Sequence, residues 1–117
     1  LPPGAVRRIL VTLLENALRY GGDQLVSLRA EVEDGRCRIG VLDRGPGIPP
    51  DELETVYRPF YRLEASRSVN TGGSGLGLAI VRQLAMAQGW QARLQAREGG
   101  GLEAWLEIPP QQAGKGG

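Results

Sequence analysis

Histidine is absent from all 117 residues. That excludes imidazole as base, nucleophile or metal ligand within the chain. Cysteine occurs once, at Cys37, which rules out an internal disulfide and gives no thiolate cluster for a metal. No apolar run approaches the roughly 20 residues that a bilayer-crossing helix needs, and no signal peptide is visible. Charge of one sign is also lacking. The 14 Lys and Arg against 13 Asp and Glu leave +1, so neither nucleic acid nor an anionic membrane is an expected partner. What remains, 41% hydrophobic and 23% charged residues, is the composition of a globular domain with one core. The chain opens at Leu1 without Met and so reads as a fragment of a longer protein.

Glycine is concentrated at Gly72-Gly73-Ser74-Gly75-Leu76-Gly77-Leu78, four glycines in six residues, leading into the apolar run Ala79 to Ala87. Without Cβ atoms in the way, backbone N–H groups can converge on an anion, and the following helix N-terminus adds partial positive charge. The stretch is a candidate phosphate cradle, although glycines also make ordinary flexible loops. It lacks Gly-Lys-Ser/Thr, so it is not a P-loop. Its G-x-G-x-G spacing, with no strand-like segment just before it, fits a dinucleotide fingerprint poorly.

Along the chain, Val6, Ile9, Leu10, Leu13, Leu14, Ala17 and Leu18 recur at helical spacing between Pro2-Pro3-Gly4 and Gly21-Gly22. Thr12, Asn16, Arg19 and Tyr20 form a separate polar stripe on that helix. Asn is a poor helix-interior residue, so Asn16 has either a solvated or a functional reason to be there. Val26, Leu28, Ala30 and Val32, then Cys37, Ile39 and Val41, alternate with polar residues around Glu33-Asp34-Gly35. This predicts an antiparallel hairpin with one buried face, Cys37 included. Period two carries Asp43 to the buried side at the strand end, where a carboxylate needs a partner: a turn N–H or a ligand donor. Gly45-Pro46-Gly47-Ile48-Pro49-Pro50 predicts a shaped loop, and Asp51 with Glu54 an N-capped short helix to about Tyr57, ended by Pro59. The polar stretch Arg62 to Gly73 predicts a mobile loop. The next helix is expected to pack Leu76, Ile80, Leu84 and Ala87, and to end at Gly89. A second hairpin follows, in which Leu102, Ala104, Leu106 and Ile108 alternate with Glu103, Trp105 and Glu107. The sum is an α/β two-layer sandwich, helices on one sheet face and water on the other, over residues 1–110, with 111–117 a flexible tail.

Asn16-Ala17-Leu18-Arg19-Tyr20, Asp43-Arg44-Gly45-Pro46-Gly47-Ile48, Pro59-Phe60-Tyr61-Arg62 and Gly73-Ser74-Gly75-Leu76-Gly77-Leu78-Ala79-Ile80 together resemble the ATP-binding domain of bacterial sensor histidine kinases. They look like that family's N, G1, F and G2 boxes, in order, within a match from Pro3 to Pro109. Arg-Tyr-Gly after the Asn, Pro-Phe-Tyr-Arg and the late Ala-Trp-Leu look most like the osmosensor type. The resemblance implies the Bergerat ATP-binding fold, with a mixed, mostly antiparallel sheet. It implies Asn16 as the Mg²⁺ ligand, Arg19 on a phosphate, Tyr20 against adenine, and Asp43 as acceptor of the adenine amino group. It further implies Gly45, Gly47 and Ile48 beside the base, Ser74, Gly75, Leu76, Gly77 and Leu78 as the cradle, and Phe60 and Arg62 at the base of an ATP lid. That lid would span about 61–74, with a mobile part from Leu63 to Gly73. Asn16 and Arg19 are the implied catalytic residues.

Two departures stand out. Thr12 occupies the position of a frequent second Asn, where its hydroxyl can still donate and accept. The glycines at 99–101 lack a clear Thr after them, so no ligand residue is carried over there. In the ATPase branches a Glu one turn before the Asn activates water. Here that residue is Thr12, and Glu15 lies about 100° round the helix, so poor hydrolysis is expected. The resemblance therefore implies phosphoryl transfer to a histidine on a separate dimerisation domain of the same protein, then relay to a response regulator. The parent would be a membrane-bound homodimer with this domain on the cytoplasmic side of the inner membrane. The alternatives are an anti-sigma-type serine kinase and a nucleotide-sensing module without catalysis.

Overall fold

The computed structural model describes residues 3–20 (Tyr20 as backbone only), 25–58 and 77–110. Helix α1 (Pro3–Tyr20) begins on a proline, whose fixed φ and missing N–H suit a first helical position. It is followed by strands β1 (Ser27–Glu33) and β2 (Arg36–Leu42), two 3-10 turns (Pro50–Glu52 and Thr55–Tyr57), helix α2 (Gly77–Ala87), and strands β3 (Gln91–Ala96) and β4 (Leu102–Ile108). The strands form one sheet in the order β1-β2-β4-β3, and each described pairing is antiparallel. The first hairpin closes on Asp34 and Gly35, both at positive φ (53° and 81°), the two-residue turn whose twist matches its strands.

Helix α1 packs on α2 and on β2, and α2 packs on β3. Between the layers Ile9, Leu13 and Ala17 meet Val81 and Ala85 of α2, and Val41, Leu94, Ala104, Leu106 and Ile108 of the sheet. This is the expected two-layer α/β sandwich. Helix α2 ends where expected. Gly89 (φ 78°) donates its N–H to Met86 O at 3.1 Å, and Trp90 donates to Ala85 O at 2.8 Å, with Trp90 and Ala85 both buried. That is a Schellman cap, for which the left-handed residue is best a glycine.

Several expectations are corrected. The apolar side of β1 is not buried: Leu28 is 58% and Val32 75% exposed, because the described helices lean on β2 and β3 and β1 is the outer strand. Cys37, on β2, is half-buried against the core. The buried side of α2 is Val81 and Ala85, flanked by Leu78 and Leu84, whereas Ala87 is exposed and Leu76 lies outside the described residues. Asp51 is not an N-cap, because the turn begins one residue earlier on Pro50, with Pro49 in the cap position and no side-chain cap bond. Finally, Trp105 points to the sheet face away from the helices yet is only 3% exposed. It lies over Gly40, its partner across β2 and β4, where a Cβ would come within 2.6 Å of the indole ring. The Arg38 guanidinium roofs it at 4.1 Å, and the indole N–H donates to Glu103 Oε1 at 2.8 Å.

Candidate functional site

Asp43 follows β2 directly and is the one buried charged residue among those described, at 7% exposure. Strand periodicity turns it inward, and the loop it enters supplies its partners. Its Oδ1 accepts the backbone N–H of Gly45 at 2.9 Å and of Leu102 at 3.3 Å. Its own N–H donates to Leu102 O at 2.9 Å, and Arg97 Nη1 donates to its carbonyl oxygen at 3.2 Å. Both described donors to the carboxylate meet Oδ1, so Oδ2 is the oxygen placed to receive a further donor.

Those contacts join two glycine loops. Gly47 has φ 74°, and a Cβ there would lie 3.1 Å from Gly101 O. Arg44 Nη1 donates to the carbonyls of Glu98 (2.6 Å) and Gly100 (2.9 Å). A Cβ at Gly99 would stand 2.9 Å from that same nitrogen. The loop after β2 and the turn between β3 and β4 are therefore one interlocked unit, with Asp43 between them.

A second cluster forms where α1 crosses the start of α2. Asn16 is half-buried, and a Cβ on Gly77 would lie 3.3 Å from Thr12 Cγ2 and 3.5 Å from Asn16 Oδ1. The end of the glycine-rich stretch thus meets the asparagine of the polar stripe, and a Cβ there would be tight only against the Thr12 methyl. Thr12 donates its hydroxyl to Arg8 O of its own helix at 2.8 Å. The expectation that Thr12 can donate is corrected accordingly: its proton is committed and its methyl faces Gly77. Ala17, next to Asn16, and Val41, two residues before Asp43, share the core and so tie the helix bearing Asn16 to the strand that leads into Asp43.

Of the other sequence candidates, Ile48 and Leu78 are half-buried against the core, and Gly45 is half-buried beside Asp43. Arg19 is exposed in the last turn of α1, where a cation complements the helix dipole. Phe60, Arg62, Ser74, Gly75 and Leu76, the lid at 61–74 and the tail at 111–117 lie outside the described residues, as does the side chain of Tyr20. Sequence reasoning missed Arg44, Gly101 and Leu102. Their only signal was the run Gly99-Gly100-Gly101, longer than a hairpin turn requires.

A third group sits just before Pro59. Tyr57 is buried, its hydroxyl has no hydrogen-bond partner among the described residues, and desolvation pushes its pKa from 10 up to about 12. The Arg82 guanidinium lies 4.8 Å from its ring and pairs with Glu54 at 2.5 Å, clipping the second 3-10 turn onto α2.

The protein-family model for histidine kinase-, DNA gyrase B- and HSP90-like ATPases matches residues 2–112. Sensor protein RstB of Escherichia coli (strain K12) is 43% identical over 110 residues, covering 89% of this chain and 25% of that protein. Full-length ShkA, crystallised with AMPPNP, superposes with a TM-score of 0.78 at 35% identity, over 94% of this chain and 22% of that one. The mycobacterial sensor histidine kinase MprB gives 0.75 at 29% identity, over 92% and 73%. The chain spans about a quarter of the length of the curated relatives it matches.

Proposed function

The chain belongs to the histidine kinase-, DNA gyrase B- and HSP90-like ATPase family, and on that premise we propose that it is the ATP-binding catalytic domain of a two-component sensor histidine kinase. The observation that carries the reading is Asp43: a buried carboxylate at a strand end, oriented by two backbone donors on Oδ1. Its Oδ2 would accept an adenine amino group. An oriented acceptor of this kind discriminates strongly against a base that lacks the donor. Gly45, Gly47 and Ile48 would let the base approach, with Tyr20 against its face. Ser74, Gly75, Leu76, Gly77 and Leu78 would cradle the phosphates at the start of α2, with Arg19 adding a cation and Phe60 and Arg62 at the base of the lid. RstB is named a sensor protein and ShkA was crystallised with AMPPNP, which supports the same assignment here.

Asn16 fits Mg²⁺ as one oxygen donor among several. No group of three metal-binding side chains occurs among the described residues, so the phosphates would supply most of the coordination. Bound Mg²⁺ would neutralise charge on the transferring phosphoryl group.

The chain's own residues would hold and orient ATP without activating water. One turn before Asn16 stands Thr12, whose hydroxyl donates to Arg8 O, and not a carboxylate that could act as base. Neutral imidazole, with a pKa near 6.5, is already nucleophilic at pH 7, so positioning suffices for transfer to histidine. The chain has no histidine, so the acceptor belongs to a dimerisation domain elsewhere in the parent protein, with a response regulator next in the relay. Among the described residues no helix is long and apolar enough to cross a membrane, and we place the domain on the cytoplasmic side of a membrane-bound homodimer.

The test supplies the histidine-bearing domain of the parent together with γ-labelled ATP. An acid-labile label on that domain is expected. No label, or an acid-stable one on serine or threonine, would contradict the reading.

A further inference from the structure

We propose that Arg44 is a positioning residue that sets adenine specificity through Asp43, an inference that rests on the nucleotide reading above. The described hydrogen bonds of the Arg44 guanidinium do not go to Asp43's carboxylate. The guanidinium holds the turn that donates to that carboxylate: Nη1 donates to Glu98 O and Gly100 O, drawing the 98–101 backbone towards the loop after β2. That turn ends at Leu102, whose N–H donates to Asp43 Oδ1, while Arg97 on its other limb donates to Asp43 O. The guanidinium thus closes a ring of contacts, from Arg44 through Gly100 and Leu102 to Asp43 and back along the chain.

The glycines fit this role. At Gly99 a Cβ would crowd Arg44 Nη1 at 2.9 Å, and at Gly101 it would meet Arg44 Cα at 2.9 Å. Gly99, Gly100 and Gly101 all have positive φ, a backbone that L side chains rarely adopt. Such a turn has few side-chain contacts to fix its shape. A single guanidinium nitrogen, Nη1, donating to two of its carbonyls restrains it, and the planar group holds that nitrogen in a fixed orientation that a freely rotating ammonium lacks. When the turn is held, Leu102 N–H stays on Oδ1 and the carboxylate plane is fixed, with Oδ2 aimed at the amino donor. When it is released, the carboxylate can rotate and that directional bond weakens.

The experiment compares Kd values of this chain for ATP and for purine riboside triphosphate, which lacks the 6-amino group, in the wild type and in Arg44→Met and Arg44→Lys. The wild type is expected to prefer ATP. Arg44→Met is expected to bind ATP roughly tenfold more weakly, the worth of one well-aligned hydrogen bond, with affinity for the amino-free analogue unchanged. Arg44→Lys is expected to recover part of the loss. A merely structural role would weaken both ligands equally, and that result would overturn the inference, as would an Arg44→Met variant that still prefers ATP by the wild-type factor. A wild type that binds neither ligand would overturn the nucleotide reading itself.

Discussion

Gly101 and Asp43 pack backbone to backbone: a Cβ on Gly101 would fall inside the van der Waals surface of the Asp43 carbonyl oxygen. Gly101 is buried, has φ 112°, and accepts the Arg97 N–H at 3.1 Å. No side chain can relieve the clash, because both partners are main chain. Gly101→Ala is expected to cost about 3 kcal/mol, combining backbone strain with displacement of the loop. In a domain of this size that lowers the thermal midpoint on the order of 10 °C, measurable by circular dichroism. An alanine variant as stable as wild type would show that the two loops are not locked together.

Gly40 and Trp105 form a second close pair, on the face of the sheet away from the described helices. Gly40→Ala places a methyl 2.6 Å from the indole, so the ring must lift from the sheet. Destabilisation of about 1–3 kcal/mol is expected, as for other overpacked sites. Tryptophan emission should shift to the red as Trp105 loses its cover. Unchanged emission and stability would contradict the packing described.

The Tyr57 phenol gives a pH dependence with a defined sign. It ionises at about 12 in the folded chain and near 10 when unfolded, because burial disfavours the phenolate. Between those values the unfolded state holds fewer protons than the folded one, so stability falls as pH rises from 10 to 12. The loss is at most about 3 kcal/mol, from two units at 1.36 kcal/mol each. Tyr57→Phe should remove that component, and at pH 7 it should cost little, since the hydroxyl has no partner among the described residues. Urea melts of both proteins at pH 7 and pH 11 check this. Parallel losses in the two proteins would contradict it.

Asp43 was legible in the sequence because strand period two fixed its side and Gly45-Pro46-Gly47 fixed the strand end. The Asn16–Gly77 approach was legible only as a resemblance. Spacing along α1 and α2 says nothing about which faces cross. Alternation identified the apolar side of β1 correctly, but whether a second layer reaches an outer strand depends on helix placement, and here Leu28 and Val32 stay exposed. Helix α2 is apolar on several sides, so its pattern allowed more than one buried stripe, and contact with α1 decided for Val81 and Ala85. Trp105 broke the polar pattern of its face because Gly40 leaves a flat seat and Arg38 a lid, both on a neighbouring strand. Arg44 was illegible for the same reason: its acceptors lie 54 and 56 residues further along the chain.

The most direct measurement is calorimetric titration of this chain with ATP, with and without Mg²⁺, for the wild type, Asp43→Asn and Asn16→Asp. The account predicts saturable one-site binding, at least tenfold weaker in Asp43→Asn because the amide cannot both keep the backbone donors and accept the adenine amino group. It predicts a changed Mg²⁺ dependence in Asn16→Asp. No binding by the wild type, or binding that Asp43→Asn leaves unaltered, would contradict it.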